Sequence, residues 1–334
     1  MDGHVTLLQP NPNRVESRWF DAVLRSSWGQ SFLETRCYSG STNQVELSKS
    51  LLRSATVPVP SLAEQRRIAE ILSIVDEAIR RTEQLVEKLK LAKRGLLHDL
   101  LTRGINDKGE LRDPIRHPEQ FKDSPLGLIP ESWDTPLVDD VAIRGSGHTP
   151  SKSIPAYWNG GIKWVSLADS SKLDQVYISE TDKQISSLGI ANSSAVLHHA
   201  GTVILSRDAG IGKSAILATD MAVSQHFIAW KCGARLHFQY LYYWLQHNKP
   251  LFESIAFGST IKTIGLSFFR RLKITAPPVG EQQQIAQILL THEADIAGEI
   301  EVRDKLRALK QALMDDLLTG RVRVTPLLEK DSTP

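Results

Sequence analysis

The sequence predicts an α+β protein in which globular mixed α/β domains alternate with two long helices that pair as an antiparallel coiled coil. Three observations predict it. A segment of more than forty residues occurs twice, at a single ungapped offset of 217, opening at Pro60 and again at Pro277. Within each copy the apolar residues step by four and three, which is the heptad signature of a helix that wants a helical partner. Between the copies, short β-branched and apolar runs are punctuated by Gly, Asn, Asp and Ser, as in a strand-rich domain.

The repeat is carried by identities at Glu64/Glu281, Gln65/Gln282, Ile68/Ile285, Leu72/Leu289, Lys93/Lys310 and a DLLT ending at Thr102 and Thr319, among others. The first copy predicts a helix over 62–101, with a seam at Ile68, Leu72, Val75, Ile79, Val86, Leu89, Leu96 and Leu100. The second keeps the seam at Ile285, Leu289, Ile296, Leu306, Leu313 and Leu317, with Ile288, Ile300, Val302 and Leu309 alongside it. Roughly 38 residues at 1.5 Å each make a rod of about 57 Å. Lys93 and Lys310 fall on equivalent seam positions, where a lysine either specifies register or snorkels outward. Both helices follow a proline-bearing strand exit. Ser61 and Gly280 stand near the helix starts, and Glu64 and Glu281 meet the positive dipole end.

The remaining boundaries follow from these two helices. Residues 130–276 read as a complete strand-rich module, closing with an amphipathic helix at 238–246 and a GST turn at 258–260. Residues 1–57 end in the same way, with GST at 40–42, and read as the C-terminal remnant of a like module. There, 18–24 (RWFDAVL) is expected to expose an apolar strand edge. The long helices occupy 58–104 and 277–322, the polar stretch 105–129 is a linker, and 323–334 is expected to be a disordered tail.

Composition narrows the function less than the repeat does. The chain has 334 residues, 41% of them hydrophobic, and a net charge of +2 with mean hydropathy −0.21. No run of about 18 apolar residues suggests a membrane span, and the N-terminus lacks a signal-peptide layout. Cys37 and Cys232 stand in unrelated contexts, which excludes a zinc spacing and fits a reduced, cytoplasmic setting. Over 130–276 there are fourteen Lys and Arg against eleven Asp and Glu, so any DNA-facing patch is local.

Several motifs admit two readings. AGIGKS at 209–214 resembles a phosphate loop, but Arg207 stands where the pattern needs glycine, and a hairpin turn explains Gly210 and Gly212. RGSGHTP at 144–150 lacks the third glycine of a dinucleotide fingerprint. His198–His199 reads as a strand-to-turn feature rather than a ligand set. No nuclease, methyltransferase or metal motif is present, so no catalytic residue and no metal site is assigned. The residues suited to DNA are loop-borne polar and basic groups: Thr149, Ser151, Lys152, Lys163, Arg207, Lys213, Ser214, Gln225, His226, Lys262, Arg270 and Arg271. Each has a structural alternative. Lys262 with Arg270 and Arg271 reads more readily as a charge-paired surface, and Gln225 equally as an amide satisfying backbone groups in a buried strand.

Taken in order, LGLIPESW at 126–133, GHTPS at 147–151, YWNGGIKWVSLAD at 157–169, AGTVILSRDAGIGKSAI at 200–216, VSQHFIAW at 223–230 and the GST-to-helix passage at 258–289 resemble a type I restriction–modification specificity subunit. The resemblance covers about 17–322. It implies two target-recognition domains, each followed by a long helix, reading the halves of a split double-stranded DNA site. It implies no catalytic centre and no cofactor on this chain. S-adenosylmethionine and ATP are then expected on methyltransferase and motor-nuclease partner subunits, the former docked through the helices. A rod of about 57 Å spans roughly 17 base pairs. The sequence departs from the pattern in lacking most of the first recognition domain. The chain therefore reads as a truncated subunit, or one whose start lies upstream, with another copy or a half-subunit as a remedy. The alternative is a scaffold that binds methyltransferase subunits without targeting DNA.

Overall fold

The repeated segments fold as two long helices. The computed structural model describes residues 6–41, 44–258 and 262–330. It divides into two compact units, one built from residues 1–90 with 294–334, the other from 91–293. Each long helix contributes to both units. The GST turns lie partly outside the described residues.

In the first unit, α1 (Ser17–Arg25) and α2 (Ser27–Arg36) lead to β1 (Tyr38–Ser41), β2 (Gln44–Leu47), α3 (Lys49–Ser54) and the long α4 (Leu62–Thr102). Residues 18–24 therefore form a helix, not the exposed strand edge that their composition predicts. Glu16 caps it by accepting from Trp19 N at 2.7 Å. Trp19 and Val23, four apart, then fall on one face. They are 1% and 3% exposed, in one core with Ile68, Leu72, Met314 and Leu317. Ser26 closes α1 and opens α2, donating to Val23 O and accepting from Gly29 N. A Cβ on Gly29 would lie 1.9 Å from Val23 O, so the corner requires glycine there.

The segment 105–129, expected as a linker, carries ordered structure of its own. Ile105 is buried and bridges to Leu111, and β3 (Phe121–Ser124) pairs with β4 (Gly127–Pro130). The module that follows contains α5 (Val138–Val141), β5 (Ala142–Ser146), β6 (Trp158–Val165), β7 (Tyr177–Ile178), β8 (Lys183–Ile185), α6 (Ser187–Ala191), β9 (Leu197–His198), β10 (Val203–Ser206), β11 (Ser214–Leu217), β12 (Met221–Val223) and β13 (Phe227–Cys232). Then come α7 (Phe238–His247), α8 (Lys249–Ile255), α9 (Leu266–Phe269), the long α10 (Val279–Leu317) and α11 (Thr325–Lys330). The strands form a five-stranded sheet, β5-β13-β10-β11-β7, and a four-stranded sheet, β8-β6-β12-β9. The buried apolar runs 203–205 of β10 and 227–230 of β13 explain why they sit inside the larger sheet, with α7 against β10 and β11.

Residues 325–330 form α11, and Val324 is 2% exposed, so the expected disorder of the tail does not hold as far as 330. Val324 is apolar and finds the Trp19 core.

Within each unit the long helices run antiparallel. In the first, Asp76 meets Lys310 at 2.6 Å and Glu83 meets Arg307 at 2.6 Å. In the second, Lys93 meets Glu293, and Leu100 shares a core with Ile285 and Leu289. All fourteen seam residues named from the sequence are buried or half-buried, whereas Val302 and Leu309 beside the seam are exposed.

The two helix starts are built alike. Gln65 Nε2 donates to Arg14 O and Pro60 O while its Oε1 accepts from Glu16 N. Gln282 Nε2 donates to Arg235 O and Pro277 O while its Oε1 accepts from His237 N. Glu64 accepts from Arg323 at 2.6 Å, and Glu281 from Arg112 at 2.5 Å. Each carboxylate is thus held by an arginine from the chain that follows the opposite long helix.

Candidate nucleic-acid interface

The sheet register decides which loops meet. β13 lies between β5 and β10, with Ile228 opposite Ser146 and Phe227 opposite Ser206. The exits of β5 and β10 and the entry to β13 therefore share one end of the sheet. That end gathers residues 147–150, 207–213 and 224–226. Ile264 N donates to Arg207 O at 2.9 Å, bringing in the chain after 262. His148 N donates to Val223 O. A Cβ on Gly147 would lie 1.7 Å from that oxygen, so only glycine allows this loop so close.

A line of polar side chains runs across these loops. Thr149 Oγ1 donates to Gln225 Oε1 at 2.6 Å, and Gln225 Nε2 lies 3.4 Å from His226 Nε2. His226 Nδ1 lies 2.7 Å from Asp208 Oδ2. Asp208 Oδ1 accepts from Thr263 Oγ1, and Arg207 Nε sits 3.6 Å from the same oxygen. Gln225 is exposed, and Thr149 and His226 are half-buried. The arrangement offers donors and acceptors at a surface, backed by a partly buried carboxylate. Such groups suit base edges and phosphates.

Of the twelve residues chosen from the sequence, Thr149, Arg207, Gln225 and His226 come together here. Lys213 borders them, but its ammonium donates to Ser170 O at 2.9 Å and holds the β10–β11 turn. Gly210 and Gly212 both have positive φ there, as a hairpin turn requires. Lys213, Lys249 and exposed Lys262 line a cavity of about 470 Å³ beside the turn. Ser214 does not belong to any interface. It is fully buried in β11 and its hydroxyl accepts from Gln246 Nε2 at 2.8 Å. Lys163 is also committed internally, to Ser179 O at 2.6 Å and Glu180 at 2.9 Å. Trp164 is core, its indole donating to His148 O.

Ser151 bonds Ser153 on the exposed loop that also carries Lys152. Arg270 and Arg271 are exposed but precede Leu272, whose carbonyl accepts from Val138 N near the other end of β5. They are not joined to the Gln225 line. Sequence reasoning missed Asp208 and Thr263. The adjacent Arg207–Asp208 pair, set in a glycine-rich turn, was the available signal.

Burial keeps the His198 imidazole below its ordinary range, as expected of a core histidine with one carbonyl partner, Ser146 O. Among the described residues, no helix is long and apolar enough to cross a membrane.

Comparison with known proteins adds a second line of observation. The family model described as the type I restriction modification DNA specificity domain matches residues 4–91 and 130–306. The MjaIX specificity subunit of a type I restriction enzyme from Methanocaldococcus jannaschii is 30% identical over 177 residues, 52% of this chain and 41% of that protein. The MjaVIII specificity subunit of the same organism is 24% identical over 308 residues, 89% of this chain and 69% of that protein. A solved structure titled for the assembly and conformational transition of the type I restriction–modification system shares the fold. Its TM-score is 0.58 at 20% identity, covering 93% of this chain and 73% of that one.

Proposed function

Because the chain belongs to the type I restriction modification DNA specificity family, we propose that it reads DNA sequence for a complex whose chemistry is carried by other subunits. The observation that carries this reading is the convergence of Thr149, Gln225, His226 and Arg207 at one loop end of the second unit. That end presents oriented amide and hydroxyl groups, with Lys152 and Lys262 exposed on neighbouring loops for phosphates. The module at 130–276 then reads one half of a bipartite double-stranded site. The paired helices space it and dock methyltransferase subunits, and through them motor-nuclease subunits. S-adenosylmethionine and ATP belong to those partners, in the cytoplasm, and this chain performs no reaction of its own.

The test is equilibrium binding of the purified chain to a randomised 40-base-pair duplex pool, followed by the pool enriched over successive rounds of selection. The reading predicts an enriched pool that binds more tightly than the starting pool, with affinity falling steeply as salt rises. Equal binding of both pools, with methyltransferase subunits still retained, would replace it with the scaffold reading.

A further inference from the structure

The line from Thr149 to Asp208 has a consequence for the one exposed amide within it. The nitrogen of a glutamine side chain only donates. The Asp208 carboxylate beside His226 Nδ1 only accepts, so a neutral imidazole carries its proton on Nδ1 and leaves Nε2 to accept from Gln225 Nε2 at 3.4 Å. The imidazole proton then sits on Nδ1 and donates to Asp208 Oδ2 at 2.7 Å. Asp208 is in turn fixed by Thr263 Oγ1 on its other oxygen. From the opposite side, Thr149 Oγ1 donates to Gln225 Oε1 at 2.6 Å. With the imidazole neutral, His226 draws the amine end of Gln225 and leaves the carbonyl end to Thr149.

Both ends keep capacity to spare. Oε1 has a second lone pair, Nε2 a second hydrogen, and the side chain is exposed. A donor beside an acceptor on one planar group complements the N6 amine and N7 of adenine in the major groove. Guanine offers two acceptors there and cytosine a donor, so neither matches both ends. Holding the amide in place before binding also removes the rotamer cost of ordering a long flexible side chain.

We propose that Gln225 is the specificity-determining residue of the second unit and reads adenine, with Thr149, His226 and Asp208 as positioning residues. This rests on the proposed DNA-reading function, and its test separates the two. Full-length wild type, Gln225→Glu, Gln225→Ala and Thr149→Val are each taken through selection on the same randomised duplex pool. Gln225 is exposed and Thr149 is half-buried, and neither belongs to a hydrophobic core cluster, so the substitutions leave the core intact; circular dichroism verifies it.

The wild-type consensus is expected to contain an adenine whose replacement weakens binding about 5- to 100-fold. Gln225→Glu, which can only accept, is expected to exchange that adenine for cytosine and leave the other positions unchanged. Gln225→Ala should lose preference at that position alone, and Thr149→Val should blunt it there. A consensus unchanged by both Gln225 substitutions would overturn the assignment. A wild-type pool with no consensus would overturn the DNA-reading function, and this inference with it.

Discussion

Lys310 donates to Asp76 across the paired helices at 2.6 Å, and the contact recurs one repeat away as Lys93 with Glu293. Both members of each pair are related by the same offset of 217, so one register device is built twice. A lysine on a seam pairs only where an acid faces it, and slipping either helix by a turn would leave the ammonium against leucine and isoleucine. The pairs are half-exposed, which limits their worth in stability. A double-mutant cycle on Lys310 and Asp76 is expected to give a coupling of about 0.5–1 kcal/mol by urea unfolding. Coupling indistinguishable from zero would assign the seam lysines to snorkelling.

Gln65 and Gln282 carry more. Each is fully buried and makes three hydrogen bonds to backbone groups that have no other hydrogen-bond partner among the described residues. Gln282→Leu fills the same volume but orphans those groups, each costing about 1–3 kcal/mol. The expected destabilisation exceeds about 3 kcal/mol, and Gln65→Leu should be equally severe in the first unit. Hydrogen exchange would locate each loss in its own unit.

Acid sensitivity follows from Glu64. The Arg323 guanidinium, then the Thr325 and Ser61 hydroxyls, hold its carboxyl below the ordinary carboxylate range. A carboxyl whose pKa is lowered by folding contributes stability above its unfolded pKa. That contribution disappears as the pH falls through the folded value. The urea midpoint of the first unit should therefore fall below about pH 4.5. Arg323→Ala should lower the midpoint at neutral pH and flatten the acid limb. A parallel downward shift at all pH values would mean that the ion pair does not govern the titration.

Trp19 tests the first unit as a folded body. It is 1% exposed in a core shared by α1, α4 and α10. Trp19→Ala should cost about 3–5 kcal/mol, measured by urea unfolding. A loss under about 1 kcal/mol would mean that α1 is not docked.

Legibility in the sequence tracked the range of the forces involved. The long helices were readable because their seams repeat locally. The expected 62–101 compares with Leu62–Thr102, and 277–322 with Val279–Leu317. Residues 18–24 were misread because tryptophan, phenylalanine and valine favour strands, while Met314 and Leu317, which cover this helix, lie almost three hundred residues away. Thr149, Arg207, Gln225 and His226 were nameable as polar loop residues beside strands. Ser214 and Lys163 were misassigned because Gln246 and Glu180, their partners, come from other elements. Asp208 escaped notice because it matters through His226, a contact that only the sheet register creates.

If the Thr149–Gln225 end of the second unit faces DNA, site-specific photocross-linking will capture the contact. One photoreactive residue replaces Thr149, and in a second protein it replaces Ile143, which is 73% exposed three residues before Ser146 on β5. Irradiated with the enriched duplex, the protein labelled at 149 should cross-link and the one labelled at 143 should not. Cross-linking from 143 with none from 149 would mean that DNA lies at another face of the second unit.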